Sequence, residues 1–169
     1  MNIKRIIFTI GLLASASCFA DTPLRPPEAK RFCDVDVSHC GYTDPASGTD
    51  IYKVEGNFKL TKLYSIDGWH RSPHLSPNGV YFVSGYYGLN LVPVDAKSNL
   101  VMLVIYKNGK PHSAVTLGDL ILDMKNLRRT VSHQYWGSIQ AVNDDVAVIN
   151  TVEGNVAVSL ENGSVKRLN

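Results

Sequence analysis

The sequence predicts an all-β fold with one short helix: two blade-like antiparallel meander sheets packed together, in a partial-propeller or sandwich-like arrangement. Three observations predict it. From residue 51 onward, apolar and β-branched runs alternate with turn dipeptides such as Asn108-Gly109, Glu153-Gly154 and Asn162-Gly163. The run "LVMLVIY", residues 100–106, has seven apolar residues in succession, the mark of a strand covered on both faces. A single stretch near 118–129 carries its apolar residues at helical spacing instead.

Residues 1–20 read as a signal peptide. Lys4 and Arg5 precede an apolar stretch from Ile6 to Ala16, and Cys18 and Ala20 stand at −3 and −1 for cleavage after Ala20. The apolar stretch falls short of the ~20 residues that span a bilayer, so no transmembrane span is expected in the mature chain. Leu13 lies two residues too early for a lipoprotein signal at Cys18, which leaves lipid anchoring as the secondary alternative. The expected destination is the periplasm or the outside of the cell.

Losing that segment changes the charge. The whole chain has 17 Lys and Arg against 15 Asp and Glu; without Lys4 and Arg5 the counts are 15 and 15. A neutral domain offers no electrostatic basis for binding nucleic acid, and no such partner is expected. What remains suffices for one domain with its own core.

Residues 21–50 are expected to form a lead-in and a disulfide loop. "DTPLRPPEAKR" contains three prolines and no periodicity, which suggests an extended segment. Cys33 and Cys40 are an even pair suited to a disulfide in an oxidising compartment. His39 beside Cys40 raises metal ligation, but a second Cys/His pair is missing. In "CDVDV", Asp34 and Asp36 are expected to face water, and "GYTDPASGTD" is turn chemistry throughout.

Residues 51–169 are expected to form a single β domain. Strands are predicted over 58–66, 80–87, 100–106, after Asn108-Gly109, and over 146–152 and 155–160. Between them, Leu117, Leu120, Ile121, Met124 and Leu127 make the helical stripe, with Thr116 or Asp119 as cap, expected to cover the outer face of the sheet containing Leu100–Tyr106.

The two halves of this domain run alike. Trp69 precedes "HRSPHLSPNGVYFVSG" and Trp136 precedes "GSIQAVNDDVAVINT", with Asn78 aligned on Asp144; the first copy is longer by "YYGLNLVPVDAKS". Trp69 and Trp136 are therefore expected at equivalent places in two sheets. The motif in "HLSPNGVYFV", an apolar residue and Ser-Pro-Asn-Gly before an aromatic or β-branched strand, resembles blade segments of bacterial periplasmic β-propellers. It is similar to repeats of the Tol-system propeller and of dipeptidyl-peptidase propeller domains. The resemblance implies a module that binds proteins and seldom carries catalysis. Closed propellers need about four blades or more, and this chain has room for two or three, hence the partial form.

Catalytic patterns are sparse. No G-x-S-x-G occurs, Asp144-Asp145 occupies a turn, and no cofactor is expected. In "GWHRSPH", His70 and His74 could share a face as a metal pair, which makes a small periplasmic hydrolase or metal-binding protein the alternative. Binding candidates are richer. The long segment "SGYYGLNLVPVDAKS" offers Tyr86, Tyr87 and Leu89 as interface anchors, unless Leu89, Leu91 and Val92 form a further strand and the tyrosines enter the core. "RRTVSHQYW" mixes Arg128, Arg129, His133, Tyr135 and Trp136, either as a binding rim or as the close of a helix on a sheet. Together these favour an exported, non-catalytic module that binds a protein partner in the cell envelope, a class that includes inhibitors and immunity-type proteins.

Overall fold

The computed structural model describes residues 23–168, the side chain of Phe58 excepted. The signal segment, its cleavage after Ala20 and Cys18 lie outside the described residues.

Among the described residues strands dominate, in four antiparallel sheets, none closed into a barrel. The first sheet holds β1 (Lys30–Cys33), β2 (His39–Asp44), β3 (Gly48–Glu55) and β4 (Lys59–Ile66) in chain order. The second begins with β5 (Ser72–Leu75) and β6 (Tyr81–Gly85); β7 (Leu91–Pro93) leaves it, and β8 (Val101–Lys107) and β9 (Lys110–Thr116) complete it. A small third sheet joins β10 (Arg128–Arg129), β11 (His133–Tyr135) and β7. The last contains β12 (Gly137–Val142), β13 (Val146–Thr151), β14 (Gly154–Ser159) and β15 (Val165–Arg167).

There are thus three four-stranded meanders where two were expected. The additional one draws β1, β2 and the start of β3 from residues expected to be lead-in and turns, while β4 falls on the strand predicted over 58–66. Its strands contain Gly, Asp and Thr, and part of what they bury is polar: Thr49 Oγ1 donates to Thr43 Oγ1 at 2.7 Å, with both residues buried. A pair of satisfied hydroxyls can take an interior position without an apolar pattern to advertise it.

The second sheet is the middle layer. Along β6, Tyr81 and Val83 face the last sheet, where they join Leu103 and Ile105 of β8 with Ala147, Ile149, Val156, Val158 and Leu160. Phe82 points the other way, into a smaller cluster with Ile51, Ile66 and Leu75, flanked by Phe32, Tyr64 and Tyr106. The unbroken apolar run at 100–106 is thereby explained: β8 lies between two strands and has a core on each side. Each fully buried Leu, Ile, Val or Phe side chain contributes roughly 1.5–3 kcal/mol relative to exposure.

The helix is much shorter than its apolar stripe. α1 spans Leu117–Leu120, and a 3-10 turn follows at Met124–Asn126. The Asp119 carboxylate accepts from the Thr116 N–H at 2.8 Å and hydroxyl at 2.7 Å, which starts the turn as expected. Glu153 ends it. Its carboxylate takes the N–H groups of Leu122 and Asp123 at 2.8 and 2.9 Å, amides that a continuing helix would have turned back to its own carbonyls. Leu117, Leu120, Ile121 and Leu127 are still buried, but in the core between the second and last sheets. The opposite face of the second sheet is covered by the first sheet, not by the helix.

Two turns carry the topology. Asn108 and Gly109 both have positive φ, 48° and 80°, the two-residue hairpin that an Asn-Gly pair predicts. In Ser76-Pro77-Asn78-Gly79, Gly79 has φ 70° and donates to Ser76 O at 2.8 Å, and a methyl group there would collide with the His39 ring. The Asn78 N–H donates to Asp144 Oδ1 at 2.7 Å, so the two turns aligned in the sequence touch in space.

Candidate functional site

Pairing of β7 with β11 joins the two candidate binding segments. Leu91 lies opposite Tyr135 and Pro93 opposite His133, while Arg128 on β10 lies opposite Tyr135 from the other side. Both outcomes considered for the long segment occur at once. Leu91 and Val92 form a strand with Val92 fully buried, and Tyr86 packs half-buried against the main core, yet Tyr87 and Leu89 are 53% and 40% exposed. Arg128 and Arg129 are exposed on the edge strand, and Tyr135 is half-buried. Leu89 is held in place from below, because its carbonyl accepts the Trp136 indole N–H at 2.7 Å.

Tyr87 belongs to a second cluster whose other members the sequence did not single out for binding, Trp69 serving there only as a landmark of the repeat. The Arg71 guanidinium lies 4.4 Å from the centre of the Tyr87 ring and 5.0 Å from that of Trp69, and the two rings are 6.1 Å apart at 70°. Arg71 Nη2 donates to Tyr87 Oη at 2.9 Å and to Arg25 O at 2.7 Å, and Trp69 Nε1 donates to Glu28 O at 2.8 Å. Lys30 donates to Arg71 O and stands 5.9 Å from the Trp69 ring. Burial lowers the Lys30 pKa and the Arg71 charge lowers it further, against the opposing pull of Glu28. The lead-in is therefore pinned by side chains more than 40 residues away. A Trp and an Arg two positions apart immediately before a strand were the available signal.

Trp69 and Trp136 both precede the first strand of a four-stranded meander. Their surroundings differ. Trp136 is 2% exposed within the main core, whereas Trp69 is half-buried under the lead-in.

The histidines take separate partners. His70 Nδ1 lies 2.9 Å from Ser84 Oγ, with its ring edge-on to Phe82 and Tyr106 at 5.0 and 5.7 Å. His74 Nε2 lies 3.1 Å from Ser72 Oγ. Burial lowers the pKa of both; the Lys30 charge adds to it at His74, while the Asp67 backbone opposes it at His70. Among the described residues, no group of three or more His, Cys, Asp or Glu could hold a metal ion.

Asp34 corrects another expectation. It is 6% exposed and organises the loop between β1 and β2, accepting from Ser38 N at 2.9 Å, Ser38 Oγ at 2.7 Å and His39 N at 2.8 Å; Asp36 is exposed as expected. Although Ser, His and Asp meet here, the hydroxyl and Pro77 O both approach the same ring nitrogen, Nδ1, at 3.0 and 2.8 Å. The Ser38 hydroxyl donates directly to the Asp34 carboxylate, so the imidazole does not stand between the two as it does in a Ser–His–Asp triad. Cys33 and Cys40 face each other across β1 and β2 at disulfide distance.

No described helix is long and apolar enough to cross a membrane. No protein-family model, curated protein or solved structure matches the chain.

Proposed function

We propose that this chain is an exported, non-catalytic protein-binding module of the cell envelope, of the kind that includes inhibitors and immunity-type proteins. One observation carries the proposal: exposed Tyr87 and Leu89 and exposed Arg128 and Arg129 come from segments joined through one small sheet. Exposed aromatic, aliphatic and Arg side chains gathered on a supported surface are the composition of interface anchors. The buried main core behind them keeps β7 in place, so a partner would meet a largely preformed face. A neutral mature chain, a signal-like N-terminus and a cysteine pair suited to oxidising surroundings support the export and envelope parts.

The test is affinity capture with the chain from residue 21 onward, using envelope extract of its own organism and quantifying the eluate. A stoichiometric protein is expected, with recovery falling at least tenfold for Tyr87→Ala with Leu89→Ala and for Arg128→Ala with Arg129→Ala. Undiminished recovery by both double variants rejects this surface, and an eluate without a stoichiometric protein rejects the module.

A further inference from the structure

Residues 23–29 carry no helix or strand and lie exposed, yet two donors hold them at a regular interval. Arg71 Nη2 donates to Arg25 O at 2.7 Å and Trp69 Nε1 to Glu28 O at 2.8 Å. The two carbonyls are three residues apart, which is one turn of a polyproline II helix, so that conformation presents both to the same side. Pro23, Pro26 and Pro27 favour it: each fixes its own φ and removes an N–H, and each restricts the residue before it to extended geometry. A segment so short of N–H donors is recognised through its carbonyls and its rings. The receiving face supplies both kinds of contact, with an indole N–H and a guanidinium as donors and the rings of Trp69 and Tyr87 as walls. Clefts of about 360 and 490 Å³ flank it, the first lined by Pro26, Trp69, Arg71 and Leu89 and the second by Pro23, Tyr86 and Tyr87.

We infer that Trp69, Arg71 and Tyr87 form a recognition groove for proline-rich extended peptide segments, and that residues 23–28 occupy it as an intramolecular stand-in for a partner's segment. The inference rests on the chain being a protein-binding module and names the chemistry of what it binds. Carbonyl capture by Trp69 and Arg71 does not depend on how the ligand is connected, so a segment of the same chemistry from another protein fits the same donors. The lead-in continues directly into β1 and therefore competes at the millimolar effective concentration of a short tether. A partner's segment enters only by outcompeting it, which makes the lead-in a gate on the groove.

The probe is a synthetic peptide with the sequence of residues 22–28, Thr-Pro-Leu-Arg-Pro-Pro-Glu, titrated by calorimetry into the chain from residue 21 onward, which contains every described element. A variant with Pro23→Gly, Pro26→Gly and Pro27→Gly weakens the tethered competitor. It is expected to bind the peptide at least tenfold more tightly than the unaltered chain. Adding Arg71→Ala to that variant should remove at least tenfold of the affinity, and Arg71→Lys should fail to restore it, since an ammonium lacks the planar fork that reaches Arg25 O and Tyr87 Oη while covering a ring. Far-ultraviolet circular dichroism, to which the strand-rich fold contributes, reports that each variant is folded. Folded triple variant that binds the peptide no better than the unaltered chain, or no better than it binds a peptide with the prolines replaced by alanine, overturns the inference. So does dimerisation of the unaltered chain that the peptide dissolves, which would assign the groove to a second copy's lead-in. Partner capture that persists without peptide binding rejects the groove alone, whereas peptide binding without a captured partner supports the groove and rejects the envelope partner.

Discussion

Trp136 and Trp69 each precede the first strand of a four-stranded sheet, and each donates its indole N–H to a carbonyl from a distant segment, Leu89 O at 2.7 Å and Glu28 O at 2.8 Å. The hydrogen bond is the same; the surroundings are not. Trp136 is enclosed by the apolar side chains of the main core. Trp69 has cations over its ring, Arg71 at 5.0 Å and Lys30 at 5.9 Å, and an exposed strap of chain across it. Full burial converts an aromatic ring into stability, while a half-exposed ring among cations contributes roughly 0.5–1 kcal/mol per cation–π pair and keeps surface that a ligand can use. One tryptophan closes a core and the other holds something removable.

The largest expected effect falls on the core side. Trp136→Ala should lower the unfolding free energy by about 3–5 kcal/mol, because it empties a fully enclosed site and strands the Leu89 carbonyl. Urea unfolding followed by circular dichroism measures it, and a loss no larger than that of Trp69→Ala breaks the distinction between the two rings.

On the lead-in side, the cysteine pair at the foot of β1 should be the larger contributor. Cys33→Ser with Cys40→Ser releases a closure spanning a sequence separation of 7, worth about 2–3 kcal/mol by loop entropy. Thermal unfolding with and without reductant tests it; identical melts would show that packing alone secures the first sheet.

Histidine titration should distinguish the regions at smaller amplitude. The folded-state pKa of His74 is lowered from 6.5, by burial first and the Lys30 charge second, so the unfolded chain takes up the proton more readily. Its contribution is complete above pH 6.5 and is lost as pH falls through the lowered folded value. His70 acts in the same direction through burial. Stability should therefore drop as pH falls below 6.5, and His74→Gln should flatten the slope; an unchanged slope would show that His74 titrates alike in both states.

The smallest expected stability change is at Trp69. Trp69→Ala should cost about 1 kcal/mol, yet lower the backbone order parameters of Arg25 and Glu28 from near 0.85 to below 0.6. Nuclear magnetic resonance relaxation reads this directly, and an unaltered lead-in would show that Arg71 holds it unaided.

How much was legible follows from how local each signal is. Asn108-Gly109 announces its hairpin because positive φ is a property of those two residues. The run at 100–106 announces a strand between two cores because each of its faces is apolar. Of the first sheet only β4 was foreseen; β1 to β3 stayed hidden, since the Thr43–Thr49 pair replaces an apolar alternation with hydroxyl bonds. The helix boundary stayed hidden as well, since the carboxylate that stops it lies some 30 residues onward, at Glu153. Of the binding candidates, Tyr87, Leu89, Arg128 and Arg129 were recognisable as large or charged side chains in irregular segments, whereas Trp69 and Arg71 acquire a role only once the lead-in is laid across them.

By itself, then, the sequence determined the β class, the hairpin turns, the middle strand and the cysteine pairing, all of which depend on residues that are near neighbours or on the pattern within one strand. Only the tertiary structure decided which tryptophan is core and which is groove, where the helix stops, and that a proline-rich lead-in returns to an aromatic and cationic face. Those outcomes depend on which distant carbonyl or carboxylate reaches a given donor, and side-chain composition carries no record of that distance.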